Sequence, residues 1–387
     1  MHLWGAESVT ATALMAGTDL TRATVHDVCL ELLDRGWIIE LPNQRLHGGY
    51  TKGRPARRYA LNYGAGVVVG VDAGQHRATA VVADLRGDTL ARSTVRMPVV
   101  LEAADERLAA IGEAVDTALT RADQPPDRVL LVGVGLPAPV QDDGHPVVTS
   151  NPYWNAMTPD IAGHLAGRHG WSCRFDNDAN LAALAEGWLG RGRGARSHVT
   201  LLSGERLGGG VIVDGALLQG SRHGIGEMAW LDFVGDVGSA DGIAPTARMA
   251  ALDALAAHPG SRSRLRDVAV ADLTSEAVFS AAEAGDPLAT FVMDRVGEWL
   301  ARVAYLVAKV YDTELVILGG AVAAACTPLL GTVEQALSAA YQPPIPRVVC
   351  SELGDAGVAL GAVRMSLDHL RDNALEIELP EHARVGG

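Results

Sequence analysis

The sequence is poor in cysteine and contains no long apolar run. The four cysteines lie far apart and include no C-x-x-C pair, which argues against a disulfide framework and a cysteine metal site. We expect buried apolar roles for all four: Cys29, Cys173, Cys326 and Cys350. The longest apolar runs, such as residues 315–318, have the length of a strand, whereas a membrane-spanning helix needs about 20 residues. The first residues also lack the basic start and apolar segment of a secretion signal, so we expect a cytoplasmic protein without a membrane segment.

Basic residues are few and unevenly placed. The chain has 32 Lys and Arg against 46 Asp and Glu, a formal net charge of −14. Such a balance argues against nucleic acid as a partner of the whole surface, because phosphate binding needs Lys and Arg. Five of the seven basic residues in the first 60, however, fall between Arg45 and Arg58, a stretch without any acid. This cationic segment predicts a local DNA contact in front of an acidic body.

The length of 387 residues fits a small module followed by a larger two-lobed body. In the first 61 residues, Thr21 can cap a helix, apolar residues recur at helical spacing over 25–33, and Gly36 can end it. A shorter candidate helix at 8–16 precedes it across a glycine-containing turn. Two short helices joined in this way are typical of a helix-turn-helix, whose second helix enters the major groove of DNA.

A wing follows the two predicted helices. A strand-like stretch at 37–41, a turn-rich basic segment and a second apolar stretch at 59–61 predict it. Because only residues 1–4 precede the first helical region, we expect a truncated first helix. The acids Asp27 and Glu31 on the second helix also weaken the case for DNA binding, and a small α/β module without that role would fit as well. The candidate DNA contacts are Arg22, Thr24 and His26 in the groove, and Arg54, Arg57 and Arg58 at phosphates.

From residue 67 onward, strand-like stretches rich in Val and Ala alternate with glycine turns, and several motifs follow in order. They are residues 72–76 (D-A-G-Q-H), 133–140 (G-V-G-L-P-A-P-V), 151–154 (N-P-Y-W), 175–180 (F-D-N-D-A-N), 204–210 (G-E-R-L-G-G-G), 220–230 (G-S-R-H-G-I-G-E-M-A-W), 313–322 (T-E-L-V-I-L-G-G-A-V) and 351–362 (S-E-L-G-D-A-G-V-A-L-G-A). With L-T-R-A-T-V, D-R-G and G-R-P of the first module, this ordered set resembles the ROK family of repressors, open reading frames and sugar kinases over about residues 6–370.

The resemblance implies an α/β, actin-like (ribonuclease H-like) two-lobed sugar-kinase fold preceded by a small winged helix-turn-helix domain. It places the DNA-binding domain at 1–61, the N-terminal lobe at 65–184, the C-terminal lobe at 185–375 and a tail at 376–387.

Both phosphate loops depart from the pattern of the family's kinases. The first hairpin of those kinases reads D-x-G-G-T, and its small residues let backbone N–H groups approach the phosphates of ATP. Asp72 and Gly74 match it, whereas Gln75 and His76 replace the second Gly and the Thr and predict a crowded phosphate site.

The second loop reads roughly G-T-G-I-G-G-G in the family. Gly204 matches, but Glu205 and Arg206 replace the Thr and the next Gly. A carboxylate beside a polyphosphate is unfavourable. The two loops together predict a protein without kinase activity.

The resemblance also identifies candidate sugar contacts. Asp178 stands where the kinases have the base that accepts the sugar hydroxyl proton, so here it is a vestigial base. An Asn/Asp-rich segment such as 175–180 would also fit a plain turn or helix cap. Trp230 replaces the family's sugar-binding His. It could stack on a sugar ring or fill the core, and we favour the core role. The candidate sugar contacts are Asn151, Asn177, Asp178, Glu227 and Trp230.

A structural zinc ion is another family feature that this sequence does not support. The zinc is held by the His that Trp230 replaces and by a cysteine-rich segment shortly after it. Residues 235–244 contain no cysteine, and zinc needs about four N or S ligands at close spacing. We therefore predict no zinc and no other cofactor.

Taken with the family resemblance, these features predict a homodimeric, sugar-responsive transcription repressor that binds operator DNA and a sugar or sugar derivative. Two alternatives stay open. An ATP-dependent sugar kinase with a fused DNA module would explain why Asp72 and Asp178 are retained. A degenerate protein that binds neither sugar nor DNA would explain the short first helix and the absent zinc ligands.

Overall fold

The structure is a computed structural model that describes residues 3–41, 57–97, 103–141, 145–147, 151–377 and 379. The chain divides into two compact units. Unit 1 comprises Met1–Val134, Ala156–Arg174 and Ala362–Gly387, and unit 2 comprises Gly135–Asn155 and Phe175–Gly361. The predicted domain boundaries at 61, 184 and 375 follow the order of the motifs along the chain and stay predictions.

The first module of unit 1 combines two helices with a small antiparallel sheet. Its elements are β1 (Val9–Thr10), α1 (Ala11–Thr18), α2 (Arg22–Asp34), β2 (Ile38–Leu41) and β3 (Arg58–Leu61), with the sheet order β1-β3-β2. Thr21 caps α2 as predicted, because its Oγ1 accepts a hydrogen bond from the backbone N–H of Thr24 at 3.2 Å. Val25 and Cys29 are buried on the predicted apolar face, and Gly36 follows the helix with φ +83°.

The rest of unit 1 is built around the first of two larger sheets. Its elements are β4 (Val67–Ala73), β5 (Arg77–Asp84), β6 (Thr89–Arg96), α3 (Ala104–Arg121), β7 (Val129–Leu136), α4 (Pro152–Met157), α5 (Ile161–His169) and β8 (Cys173–Asn177). Three of these cross a unit boundary, since the last two residues of β7, the first four of α4 and the last three of β8 belong to unit 2. The sheet order is β6-β5-β4-β7-β8. Nearly every residue of β4 and β5 is buried, which explains their continuous Val and Ala content.

Unit 2 contains the second sheet and the helices that pack with it. Its elements are α6 (Asp178–Trp188), β9 (His198–Ser203), β10 (Leu207–Val213), β11 (Ala216–Leu217), α7 (Ile243–Ala257), α8 (Ser275–Glu283), α9 (Pro287–Tyr311), β12 (Leu315–Gly319), α10 (Leu330–Ala340) and β13 (Arg347–Cys350). The sheet order is β11-β10-β9-β12-β13, with β9, β12 and β13 parallel and β9, β10 and β11 antiparallel. A last helix, α11 (Gly357–Asp372), begins in unit 2 and ends in unit 1.

Both larger sheets have the same strand order. If the strands of each are counted along the chain, the order across the sheet is third, second, first, fourth, fifth. Such a repeat agrees with an actin-like fold, and the predicted α/β architecture with a winged helix-turn-helix in front is confirmed. Within the described ranges, no helix combines the length and the apolar character needed to cross a membrane.

Candidate functional site

Asp178 lies at the first residue of α6, directly after β8, and is half-buried. The preceding Asn177 caps this helix: its Oδ1 accepts hydrogen bonds from the backbone N–H groups of Ala179 at 3.0 Å and Asn180 at 3.3 Å. Its Nδ2 donates to the carbonyl oxygen of Ala138 at 3.3 Å. The 175–180 segment therefore comprises the end of β8 and the capped first turn of α6. The cap at Asn177 holds Asp178 at the helix end whose dipole favours a carboxylate.

The glycines of 208–210 lie against the first turn of α6. A Cβ added at Gly208 would lie 3.1 Å from the Cβ of Ala179, and one added at Gly210 would lie 2.1 Å from the carbonyl oxygen of Ala179. On its other side Gly208 forms an isolated antiparallel bridge with Glu227. The start of β10 therefore connects the turn that carries Asp178 with Glu227. These two candidate sugar contacts belong to one local arrangement within unit 2.

Glu227 lies in a partly desolvated position. Burial raises the pKa of its carboxyl group above the ordinary value, and the positive charge of Arg206 partly offsets this effect. Asn151 is half-buried just before α4, and its Oδ1 accepts a hydrogen bond from the backbone N–H of Tyr153 at 3.0 Å. All five predicted sugar contacts lie in unit 2.

Trp230 belongs to the 3-10 helix Met228–Phe233. Its side chain is half-buried and packs against the hydrophobic core of unit 2. This position supports the favoured interpretation of Trp230 as a core residue, while its contact with a sugar ring stays a prediction.

The second phosphate loop is the hairpin between β9 and β10, and Arg206 in it makes ion pairs within the protein. Its guanidinium lies 2.7 Å from a carboxylate oxygen of Asp232 and 3.4 Å from one of Asp241. The backbone N–H of Gly242 also donates to the carbonyl oxygen of Glu205 at 2.8 Å. The Arg206 side chain and the backbone at Glu205 thus hold the segment that follows Trp230. No group of three or more potential metal ligands occurs in the described part of the chain.

The first phosphate loop is the turn between β4 and β5 in unit 1. Asp72 lies opposite Thr79 in the antiparallel pairing of β4 and β5, near the end of the hairpin. Gln75 is half-buried and His76 is exposed. Arg107, which no sequence motif identified, is 2% exposed and supports this turn from α3. Its guanidinium donates to the carbonyl oxygens at 73 and 74, at 2.6 and 2.9 Å. The only signal in the sequence is an arginine on the apolar face of α3.

The N-terminal half of α2 presents its predicted DNA contacts to solvent. Arg22, Thr24 and His26 are all exposed. Glu31, an acid that argued against DNA binding, pairs with Arg35 at 2.7 Å, so its charge is partly compensated within the helix.

The predicted phosphate contacts of the wing have protein partners where the structure describes them. Arg57 pairs with Glu40 at 3.3 Å, and Arg58 donates to Ser8 Oγ. Arg54 lies outside the described residues. The assignment of these three arginines to DNA phosphates stays a prediction.

Comparison with known proteins places this architecture in a family. A model of the ROK family matches residues 68–369. The xylose repressor of Caldicellulosiruptor bescii is 23% identical over 391 residues, which span 97% of this chain and 94% of the repressor. The glucokinase of Thermotoga maritima is 31% identical over 249 residues, which span 60% of this chain and 77% of the kinase.

Among solved structures, a ROK family transcriptional regulator that is a homologue of the Escherichia coli MLC protein shares the fold. Its TM-score is 0.74 at 22% identity, and the match covers 98% of this chain and 95% of the regulator. The similarity to regulators therefore includes the winged module, whereas the glucokinase alignment leaves much of this chain uncovered.

Proposed function

The chain belongs to the ROK family, and from this premise we propose that it is a sugar-responsive DNA-binding transcription regulator that acts as a repressor and lacks kinase activity. One observation carries the proposal: the similarity to a repressor runs through the winged helix-turn-helix as well as the body. The exposure of Arg22, Thr24 and His26 on α2 supports it, because a helix-turn-helix reads bases with the first residues of its second helix.

In this proposal, two copies of the chain bind a pseudo-palindromic operator in the cytoplasm. Each α2 enters the major groove of one half-site, and the half-sites lie about 34–36 Å apart or a multiple of that distance. The wing arginines Arg54, Arg57 and Arg58 contact phosphates. For Arg57 this requires exchange of an exposed ion pair with Glu40, and exposed pairs contribute only about 0–1 kcal/mol.

The sugar binds to unit 2 at the arrangement formed by the first turn of α6, the start of β10 and Glu227. Asp178 and Glu227 accept hydrogen bonds from sugar hydroxyl groups, since carboxylates are strong acceptors. Asn151 and Asn177 complete the polar contacts, and Asn177 also fixes the start of α6 through its cap. Sugar can change DNA affinity only if it binds the DNA-competent and DNA-free forms unequally.

Kinase activity is absent in this proposal because the second loop has other tasks. Arg206 and Glu205 fasten the segment that ends at Gly242, and Gly208 and Gly210 pack against α6. The backbone N–H groups of Gly204, Leu207 and Gly209 already donate to the carbonyl oxygens of Arg206, Ala240 and Gly226. The loop therefore offers few free N–H groups to a polyphosphate. No zinc or other cofactor is required in this proposal. The ion pairs of Arg206 with Asp232 and Asp241 hold the segment in which the family's zinc site would lie.

The test uses the purified full chain in two steps. DNA that the protein retains from a random double-stranded library at low salt is sequenced to define the operator. Affinity for that operator is then measured by fluorescence anisotropy with and without a panel of free and phosphorylated sugars. We expect one sugar to change the dissociation constant by about tenfold, a typical coupling of 1–3 kcal/mol. Failure to retain any DNA, or an affinity that no sugar changes, would contradict the proposal.

One alternative function is a sugar kinase with a fused DNA module. The retained Asp178 and Asp72 favour it. Incubation with ATP, magnesium and the same sugars separates the two functions. We expect no sugar-dependent ADP release. Release that the wild type shows and Asp178→Asn loses would establish the kinase instead.

A further inference from the structure

The charges around the second loop bear on the class of sugar that the site accepts. The hairpin between β9 and β10 reaches the proposed sugar site through Gly208, which contacts Ala179 on one side and Glu227 on the other. A phosphate group on the sugar hydroxyl that faces Asp178 would come close to this hairpin. A phosphate monoester carries about −1.5 to −2 charges at pH 7, so it needs basic side chains or free backbone N–H groups.

Arg206 is shared between two acids, which compete with any added anion for its guanidinium. Its Nη2 donates to Asp232 at 2.7 Å and its Nη1 to Asp241 at 3.4 Å. Each acid is fixed in turn, because Asp232 accepts from the backbone N–H of Ala240 at 2.6 Å and Asp241 accepts from Ser239 Oγ at 2.8 Å. One guanidinium between two carboxylates leaves this cluster with a net negative charge.

The surroundings of the cluster add further negative charge. Glu205 precedes Arg206 in the hairpin, and Glu227 lies across Gly208. A phosphate would therefore meet carboxylates, while the hydroxyl groups of a sugar find good acceptors in them.

We propose that this site binds an unphosphorylated sugar and rejects the corresponding sugar phosphate. The reason is that Arg206 holds residues 232–241 in place through its ion pairs and does not contact an anion. This inference rests on the proposed sugar-binding function and names the ligand class of that site. Arg206 is thus a positioning residue that acts through Asp232 and Asp241.

Matched ligand pairs test the proposal on the full wild-type chain. Isothermal titration calorimetry compares D-glucose, D-mannose and N-acetyl-D-glucosamine, each with its 6-phosphate. We expect at least one free sugar to bind and its 6-phosphate to bind at least about tenfold more weakly, a difference of about 1.4 kcal/mol. A 6-phosphate that binds as tightly as its free sugar would overturn the charge argument but leave the sugar-binding function intact. If neither these six nor any sugar of the panel used for DNA affinity bound, the sugar-binding function itself would be contradicted.

A double variant tests the role given to Arg206. Asp232→Asn combined with Asp241→Asn releases the guanidinium, and we expect the preference for free sugar over its phosphate to fall by about tenfold. Asp253→Asn combined with Asp272→Asn is the control, since it removes two exposed charges from the same unit and should leave the preference unchanged. A preference that the first variant keeps, or that both variants change equally, would contradict the assignment. Should the first variant not fold, the wild-type comparison of paired ligands still decides the proposal.

Discussion

The indole Nε1 of Trp37 donates a hydrogen bond to the carbonyl oxygen of Ile377 at 3.4 Å, across 340 residues of sequence. Trp37 directly follows the turn that ends α2 and is 1% exposed. Its own carbonyl oxygen accepts from the backbone N–H of Asn62 at 2.8 Å, at the end of the wing. The segment after α11 therefore packs on the winged module, and the end of the chain contributes to the stability of the DNA-binding part.

Replacement of Trp37 tests this contribution. Trp37→Ala should lower the free energy of unfolding by about 3–5 kcal/mol, the usual cost of truncating a buried Trp. Trp37→Phe keeps most of the apolar volume and should cost clearly less. Urea unfolding followed by circular dichroism measures both. If Trp37→Ala lowered the free energy of unfolding by less than about 1 kcal/mol, Trp37 would not stabilise the winged module as inferred.

Two arginines of the winged module should differ in what they contribute to DNA binding. Arg22→Ala should cost about 1–3 kcal/mol on the selected operator and relax the preference at one base position, because we propose that Arg22 contacts bases in the major groove. Arg54→Ala should weaken binding to all sequences alike and lower the slope of log affinity against log salt by about one. Anisotropy titrations at several salt concentrations measure both effects.

Arg193→Ala, which removes an exposed charge from the body, is the control for these titrations. If Arg54→Ala altered only the preferred operator sequence, the assignment of the wing would be wrong.

Local sequence signals predicted the helices better than the small strands of the winged module. The cap at Thr21 and the apolar spacing of Val25 and Cys29 are local, and α2 forms where they indicate. The first helix was expected from residue 8, but Val9 and Thr10 form β1 and pair with Tyr59 and Arg58. That pairing joins segments about fifty residues apart, and no local pattern reveals such a partner.

In the site, the residue types were predictable, but their partners were not. The family motifs identified Asp178 and Glu227, and the helix cap at Asn177 follows from ordinary Asn chemistry. The ion pairs of Arg206 with Asp232 and Asp241 depend on how the chain returns to the hairpin. The same holds for Arg107, whose hydrogen bonds reach residues more than thirty positions away.

The half-buried carboxyl group of Glu227 should make stability depend on pH. Its pKa is raised above the ordinary 4.5, so between the unfolded and folded values the folded state binds more protons. By linkage, this group then lowers the stability of the fold as pH rises through that window. Glu227→Gln removes the titration, and its melting temperature relative to wild type should increase from pH 4 to pH 7. A difference that stays constant or shrinks with pH would contradict the raised pKa.

Gly361 in α11 lies against the backbone of α6, and this contact offers a route from sugar to DNA. A Cβ added at Gly361 would lie 1.8 Å from the carbonyl oxygen of Leu181, so the two helices can approach this closely only with glycine there. Leu181 follows Asp178 by three residues in α6, and α11 leads into the segment that packs on Trp37. If sugar binding shifts α6, this backbone contact would pass the shift to α11.

Gly361→Ala should separate the two helices and weaken this connection. We expect a loss of stability of about 1–3 kcal/mol, typical of overpacking, and a smaller effect of sugar on DNA affinity than in the wild type. Gly331→Ala is the matched control, because Gly331 lies in α10 with no neighbour within 4 Å of an added Cβ, and alanine there favours the helix. Thermal unfolding and anisotropy with and without sugar measure both variants. If Gly361→Ala kept the full response to sugar while losing stability, the contact would be structural only, and the coupling would have to follow another route.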